Sequence, residues 1–309
     1  MGMSRAIGIA APGGVEQLRV IERTVREPGP GEVRIQVRAA AVNPTDVGLR
    51  QHGGGDLPPP WVPGMDAAGT IESIGPGVDR LRQGEQVMAV VSPRRPEGGA
   101  QQELLVVPSA SVVAVPDGAS LEQSATLPMN GLTAMLGLEL LRLQGGETLL
   151  VTGGAGLLAS YVIPLAKQRG LTVIADAKPD DETLVLGFGT DTVVPRDGDP
   201  AGGRIVDGVY DTALRRGATF PALRDGGGIA VVRGWDGSDV PRGIAVHEVW
   251  VRDVLERTPW LEHLRELASS GVLQLRVAAT FAPEQAAEAQ ELMDAGGLRG
   301  RAVIVFGDR

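Results

Sequence analysis

The first 120 residues show the alternation of apolar and polar positions that is typical of half-buried strands. Across 33–40, apolar residues alternate with charged or polar ones, which is the two-residue period of a strand with one face on a core. Glycine and proline clusters at 12–14, 27–31 and 52–64 predict turns and loops. We therefore predict a compact β-rich domain. Its further strands are expected at 6–10, 17–23, 69–74, 85–92 and 103–107.

The period changes near residue 120, where helical segments begin to alternate with short apolar runs. This alternation predicts an α/β domain with a parallel, doubly wound sheet. The segment 195–207 joins two of the predicted strands and is barely long enough for the crossover helix that parallel strands usually need. We therefore expect a degenerate or missing helix there. The predicted strands are 148–152, 171–175, 191–194, 208–211, 228–233 and 244–249, and the helices are 130–143, 157–169 and 180–186. After residue 250 we expect helices at 259–269 and 284–293 and strands at 273–281 and 301–306.

Composition excludes several classes of function. The net charge is −9 and aromatic residues make up 3% of the chain, which argues against nucleic acid or a membrane surface as partner. The chain has no cysteine, which excludes disulfides, thiolate nucleophiles and cysteine-based metal sites. No run reaches the roughly 20 apolar residues of a membrane span. We therefore expect a cytoplasmic protein.

A dinucleotide-binding signature lies at 154–159, whose sequence GAGLLA fits G-x-G-x-x-[G/A]. It follows a predicted strand and opens a predicted helix, as this motif requires. Gly154 would permit the tight turn, and Gly156 would let the backbone approach a pyrophosphate at the helix N-terminus. We predict that the site is formed by Gly154, Ala155, Gly156, Leu157 and Leu158.

The end of the next strand leaves the choice of cofactor open. Asp176 lies where an acid accepts the 2′-hydroxyl of an NAD ribose, or it is simply a turn acid. Lys178 could instead pair with the 2′-phosphate of NADP and is the only basic residue close by in sequence.

Several sequence blocks, in order, resemble the zinc-independent quinone oxidoreductases of the medium-chain dehydrogenase/reductase superfamily, the zeta-crystallin-like group. The resemblance covers nearly the whole chain, and the blocks are specific only in combination. They are PGEV at 30–33, AVNPTD at 41–46, VPGMDAAG at 62–69, GPGV at 75–78, LPMNGLTA at 127–134, 286–293 and GRAV at 300–303.

This resemblance implies a GroES-like catalytic domain (1–120 and 251–309) and an inserted Rossmann domain (121–250), with the cofactor in the cleft between them. It implies hydride transfer from NADPH, or NADH, to a small-molecule quinone or α,β-unsaturated carbonyl compound. No metal is expected, since Asn43 and Met65 stand where zinc-dependent relatives have cysteine and histidine. The resemblance also implies a homodimer, for which the predicted edge strand near 244–250 offers a pairing surface.

The matched blocks supply the other candidate site residues. Asn43, Asp66 and Thr133 are the catalytic candidates. For Asn43 and Asp66 the alternative is a structural role, in which the side chain fixes the conformation of its loop. Asn130 and Thr133 are expected near the nicotinamide, and Arg233 is expected near a phosphate or in solvent.

Other candidates concern the substrate and its proton. Trp61 and Met65 are candidates for substrate contact, with a loop anchor and core packing as their alternatives. The tyrosine that many relatives place near the substrate corresponds to Gly48 here, and Tyr161 and Tyr210 both lie in the predicted nucleotide domain. Two further functions stay open: an enoyl-thioester reductase of specialised metabolism, and a nucleotide-binding protein without activity.

Overall fold

The computed structural model describes residues 2–307, and the chain forms two compact units. The first unit takes the chain up to Met129, then Leu255–Gly271 and the chain from Leu275 onward. The second unit consists of Asn130–Val254 and Val272–Gln274. The divisions after Met129 and Val254 lie later in the chain than the expected domain boundaries at 120 and 250.

The predicted strands and helices occur in the predicted order, together with a few short elements that were not predicted. The strands are β1 (Gly2–Ile9), β2 (Leu18–Val25), β3 (Glu32–Ala41), β4 (Asp66–Ile74), β5 (Gln86–Val90), β6 (Leu104–Pro108), β7 (Val112–Ala114), β8 (Thr148–Thr152), β9 (Thr172–Ala177), β10 (Thr192–Pro195), β11 (Val206–Asp211), β12 (Leu223–Val231), β13 (Ala245–Glu248), β14 (Val277–Phe281) and β15 (Arg301–Val305). The α-helices are α1 (Pro44–His52), α2 (Leu121–Ser124), α3 (Pro128–Leu141), α4 (Leu157–Gln168), α5 (Glu182–Leu186), α6 (Thr258–Ser269) and α7 (Ala286–Ala295).

The first unit is built on β-sheet, as its alternating pattern predicted. Strands β1 and β2 form an antiparallel pair. The larger sheet has the order β14-β15-β3-β4-β5-β7, with β6 also paired to β3. Because β15 pairs with β3 through Val303–Ala41 and Ile304–Ala40, the late part of the chain completes a sheet that the early part begins.

Helix α1 is an element that the sequence analysis missed. Asn43 is its N-cap residue, Pro44 occupies its first turn, and the backbone N–H of Asn43 donates to the Asp46 carboxylate at 2.8 Å. These are typical features of a helix start. The short length of the helix and the glycine at position 48 concealed it in the sequence.

The second unit contains the predicted parallel sheet, with the strand order β10-β9-β8-β11-β12-β13. The order reverses between β8 and its two neighbours, so the carboxyl end of β8 lies at the switch point where α/β proteins bind ligands. Helix α4 continues through Pro164. The segment between β10 and β11 contains turns and no helix among the described residues, which confirms the expected loss of a crossover helix.

Most strands begin or end at residues other than those predicted. The strand expected at 228–233 ends at Val231, because Arg233 and Gly234 have the φ values +64° and +79° that end an extended segment. The strand expected at 273–281 begins only at Val277.

Within the part of the chain that the structure describes, no helix is both long and apolar enough to cross a bilayer.

Helix α3 is apolar around most of its circumference, and most of its side chains are buried. From Asn130 onward it belongs to the second unit. Tyr210 of β11 is fully buried and packs directly on Gly137. Its hydroxyl donates to the backbone carbonyl of Thr133 at 2.6 Å. Burial raises the pKa of Tyr210, so this phenol serves as a structural donor.

The contact between Gly137 and Tyr210 predicts an asymmetry between two helical glycines. A Cβ at Gly137 would overlap the Tyr210 ring and hydroxyl, so Gly137→Ala should lower the free energy of unfolding by about 1–3 kcal/mol. A Cβ at Gly48 would meet nothing within 4 Å, so the control Gly48→Ala should raise it by about 0.5–1 kcal/mol. Urea denaturation followed by circular dichroism measures both, and equal effects at the two positions would contradict the packing argument.

Candidate functional site

The turn between β8 and α4 has the geometry of a nucleotide-binding loop. Gly153 has a φ of +68°, which favours glycine. A Cβ at Gly154 would lie 2.7 Å from the carbonyl oxygen of Asp176, so only glycine allows β8 and β9 to approach this closely. Gly156 is the N-cap of α4, and it places Leu157 and Leu158 in the helix's first turn. Ala155 is buried within the loop.

Asp176 braces this turn from the end of β9. Its Oδ1 accepts hydrogen bonds from the backbone N–H groups of Gly153 and, at 3.1 Å, Gly154. Its Oδ2 is buried and accepts no hydrogen bond from the described residues. A buried carboxylate oxygen without a donor is costly, so the site suits a ligand that brings a hydroxyl group. The structure thus gives Asp176 the turn role and leaves its other carboxylate oxygen without a donor among the described residues.

Two arginines that sequence reasoning missed lie beside Asp176. Arg215 Nη1 is 3.8 Å from Asp176 Oδ2 and donates to the carbonyl oxygen of Arg196 at 3.2 Å. The Arg196 N–H donates to the Ala177 carbonyl at 3.0 Å. Lys178 remains the only basic residue close by in sequence, but β10 and the turn after β11 bring Arg196 and Arg215 into the same region from 18 and more residues away. The strand order, once known, would have revealed them.

The remaining cofactor candidates lie on two other elements of the second unit. Asn130 and Thr133 are buried in the first half of α3. Arg233 is exposed just beyond the carboxyl end of β12, the edge of the sheet at which ligands gather. Lys178 is likewise exposed, just after β9.

In the first unit, Asn43 and Asp66 belong to one buried hydrogen-bond network. Asn43 Nδ2 donates to Asp66 Oδ2 at 2.7 Å, and Asn43 Oδ1 accepts from Arg301 Nε at 2.8 Å. Asp66 Oδ1 accepts from the backbone N–H of Met129 at 2.6 Å. Both the amide and the carboxylate are thus engaged within the protein, which favours a positioning role for these two catalytic candidates.

Asp46 is the second buried carboxylate of this network. Its Oδ1 accepts from the N–H of Gly64 at 2.8 Å, and its Oδ2 accepts from the N–H of Asn43. Burial raises the pKa of Asp46 to about 7 and that of Asp66 to about 7, against the hydrogen bonds that favour the charged forms. For Asp66, the neighbouring Asp46 adds to this rise, and the positive charge of Arg301 opposes it.

The two substrate candidates lie in well-packed surroundings. The Trp61 ring covers Gly53 and Gly54, and its Nε1 donates to the Leu57 carbonyl at 2.7 Å, so it anchors the Gly/Pro loop. Met65 is buried, and its carbonyl accepts from the N–H of Val91 at 2.8 Å. The alternatives of loop anchor and core packing thus have direct support at both positions.

The two raised pKa values predict how stability depends on pH. Between the ordinary carboxyl pKa of 3.8 and the folded value of about 7, the folded chain binds more protons than the unfolded chain. The free energy of unfolding should therefore fall as pH rises through this window, by up to about 1.4 kcal/mol per pH unit for each carboxyl, and level off above it. Urea denaturation at about pH 5.5, 6.5 and 8 measures the slope.

The variant Asp46→Asn removes one of the two titrating groups. Its slope between about pH 5.5 and pH 6.5 should be roughly half that of the wild type, whatever its absolute stability. An unchanged slope would show that Asp46 does not titrate in this range.

Comparisons with known proteins agree with this geometry. The alcohol dehydrogenase GroES-like domain family matches residues 29–117, and the zinc-binding dehydrogenase family matches residues 186–304. The chain is similar in fold to the quinone oxidoreductase from Coxiella burnetii, with a TM-score of 0.85 at 24% identity over 99% of this chain and 100% of that one. The predicted pairing of a GroES-like domain with a Rossmann-like parallel sheet is thereby confirmed.

Two curated relatives are similar in sequence. A quinone oxidoreductase of Pseudomonas aeruginosa is 34% identical over 60% of this chain and 57% of that protein. The trans-enoyl reductase tazE of Aspergillus terreus is 32% identical over 64% of this chain and 70% of that protein. The first match thus spans little more than half of the relative's length. By its fold, its two family matches and these relatives, the chain belongs to the medium-chain dehydrogenase/reductase superfamily of oxidoreductases.

Proposed function

We propose that this protein reduces a quinone or an α,β-unsaturated carbonyl compound with NADPH, or with NADH in its place, and without a metal. The observation that carries the proposal is the turn between β8 and α4, where Asp176 leaves a buried carboxylate oxygen without a donor. A dinucleotide's ribose would supply that donor, and its pyrophosphate would accept from the N–H groups at the start of α4. The quinone oxidoreductase relative supports the reaction class.

Residues of this chain divide the work of holding the cofactor. The backbone of Gly154–Leu158 would hold the pyrophosphate, Asp176 the ribose, and the exposed Lys178 and Arg233 the phosphate charges. Asn130 and Thr133 on α3 are proposed to orient the nicotinamide. The bound cofactor supplies a hydride, and the chain's contribution is proximity, orientation and exclusion of water.

The side chains at the positions of the relatives' zinc ligands argue against a catalytic zinc. Asn43 uses its side-chain amide on Asp66 and Arg301, and Met65 offers only a thioether in the core. Across residues 2–307, no group of three or more histidine, aspartate or glutamate side chains is arranged to hold a metal ion. We therefore assign the polarisation of the substrate carbonyl to hydrogen bonds.

The proton that completes the reduction needs a source other than a tyrosine. Gly48 occupies the position of the relatives' tyrosine, and the Tyr210 hydroxyl is buried in a bond to the Thr133 carbonyl. Both carboxylate oxygens of Asp66 accept hydrogen bonds within the protein. We propose that water or a ribose hydroxyl of the cofactor delivers the proton.

An enoyl-thioester reductase is the second candidate, which the similarity to the trans-enoyl reductase supports. The chemistry at the reacting carbon would be the same, because a hydride again goes to the β-carbon of a conjugated carbonyl. The two candidate functions differ in the acceptor, because an enoyl thioester is larger than a quinone or a small enone and carries a phosphopantetheine arm.

The test is oxidation of NADPH and NADH by the purified protein, with 1,4-benzoquinone and 9,10-phenanthrenequinone as acceptors. Quinone-dependent oxidation, faster with NADPH, is the expected result. Calorimetric binding of NADPH without oxidation by quinones or small enones would overturn the quinone assignment, and enoyl thioesters would be assayed next. Failure to bind either cofactor would overturn the oxidoreductase proposal as a whole.

A second experiment tests the role proposed for Thr133. Thr133→Val removes the hydroxyl at nearly constant volume, and kcat should fall by roughly 10- to 100-fold because an orienting hydrogen bond is lost. The control is Thr190→Val, since the Thr190 hydroxyl is buried without a hydrogen-bond partner in the described structure. Equal kcat values for the two variants would remove Thr133 from the proposed site.

A further inference from the structure

The side-chain amide of Asn43 lies between two partners of opposite hydrogen-bonding character. Its Nδ2 donates to Asp66 Oδ2 at 2.7 Å, and its Oδ1 accepts from Arg301 Nε at 2.8 Å. An ionised carboxylate can only accept hydrogen bonds, and a guanidinium can only donate them. The nitrogen end and the oxygen end of this amide therefore each have the one kind of partner that suits them.

The pairing of two strands brings Arg301 to this amide. Strand β15 pairs antiparallel with the end of β3. Just after β3, the N–H of Val42 donates to the carbonyl oxygen of Ala302 at 2.8 Å. Asn43 and Arg301 are the next residues along these two segments, so the contact between their side chains is set by the register of the sheet.

A half-turn of the amide would break both hydrogen bonds while Asp66 is ionised. The turned amide would place its Oδ1 against the Asp66 carboxylate and its Nδ2 against the Arg301 guanidinium. Neither contact would then contain both a donor and an acceptor. Asn43 and Asp66 are fully buried, so water is not at hand to replace the lost partners.

Protonation of Asp66 would remove this discrimination, because a carboxylic acid carries an O–H donor. Burial raises the pKa of Asp66, and the hydrogen bonds from the Met129 N–H and the Asn43 amide lower it. The neighbouring carboxylate of Asp46 raises this pKa further, and the positive charge of Arg301 lowers it. Arg301 thus acts on the amide twice, as the donor at one end and as the charge that favours a carboxylate at the other.

We infer that Arg301 is a positioning residue for the proposed reduction, because it fixes the Asn43 amide in one orientation between its own guanidinium and the Asp66 carboxylate. Asn43 is one of the catalytic candidates, and a fixed amide offers the same hydrogen-bonding group to the reactants in every turnover. Hydride transfer depends on such constant orientation. The kinetic consequence rests on the proposed function, whereas the orientation of the amide does not.

Nuclear magnetic resonance can observe this amide directly, because the chain has only two asparagines, Asn43 and Asn130. After labelling with ¹⁵N-asparagine, comparison with Asn130→Ser would assign the side-chain NH₂ signals of Asn43. In the wild type, one proton of this pair should move to low field as pH rises through about 7, where Asp66 becomes a carboxylate. In Arg301→Met, the same change should require a pH that is higher by about one unit or more.

The kinetic readout is the quinone-dependent oxidation of NADPH near neutral pH. Arg301→Met should lower kcat roughly 10-fold and change KM less than about threefold, since orientation is lost and binding is retained. Arg301→Lys keeps a cation that can only donate hydrogen bonds, and it should return kcat to within about threefold of the wild-type value.

The matched control is Arg34→Met, which removes another buried and paired guanidinium from the same sheet. Arg34 lies on β3, where its Nε donates to Glu72 Oε2 at 2.7 Å and its Nη1 donates to Glu27 Oε1 at 2.8 Å. This variant should lower the melting temperature, because two carboxylates lose their partner. It should leave kcat within about twofold of the wild type and leave the pH dependence of the Asn43 signals unchanged.

The possible outcomes are distinct. The inference would be overturned if the Asn43 signals changed at the same pH in Arg301→Met and the wild type, if Arg34→Met displaced them equally, or if they were displaced with kcat unchanged. Should Arg301→Met fail to fold, Arg301→Gln, which can still donate a hydrogen bond but is uncharged, would be compared with Arg301→Lys. Absence of NADPH oxidation by the wild type would overturn the proposed function, and the NH₂ signals would still decide whether Arg301 fixes the amide.

Discussion

A carboxylate buried away from water must find donors inside the protein, and the first unit is organised around this requirement at Asp66. Its two oxygens receive the Asn43 amide and the Met129 N–H, while Arg301 holds the other end of the Asn43 amide. The participants come from the start of α1, the start of α3, β4 and β15. Removing one of them would leave a buried polar group unpaired, which costs more than the bond itself contributes.

The second unit follows a different constraint, which is close approach of backbone to backbone. Glycines at the turn after β8 allow the end of β9 to lie against the loop, and Asp176 then reaches the loop's N–H groups. The same closeness leaves the other oxygen of Asp176 buried and without a donor. The loop is thus held in its conformation by the protein itself, and the proposed dinucleotide would add the missing hydrogen bond to Asp176.

Local pattern was sufficient to predict the order of most strands and helices and the position of the glycine-rich turn between β8 and α4. The alternation at 33–40 became β3, and the short link at 195–207 indeed contains no helix among the described residues. Contacts between distant residues were not predictable in this way. Arg215 reaches Asp176 only because of the strand order, and Arg301 reaches Asn43 across 258 positions. Sequence position alone does not fix the roles of Trp61 and Met65, because their contacts depend on how the surrounding loop packs.

The pairing of β15 with β3 has a consequence for how the chain is made on the ribosome. Strand β3 is synthesised early, yet one of its neighbours, β15, emerges more than 250 residues later, and the guanidinium of Arg301 arrives with it. Until then, the nascent first unit exposes a strand edge and holds the Asn43 amide without its last donor. The second unit is complete in sequence before that moment. Synthesis thus imposes an order in which the inserted unit can fold first and the unit that surrounds it in sequence closes last.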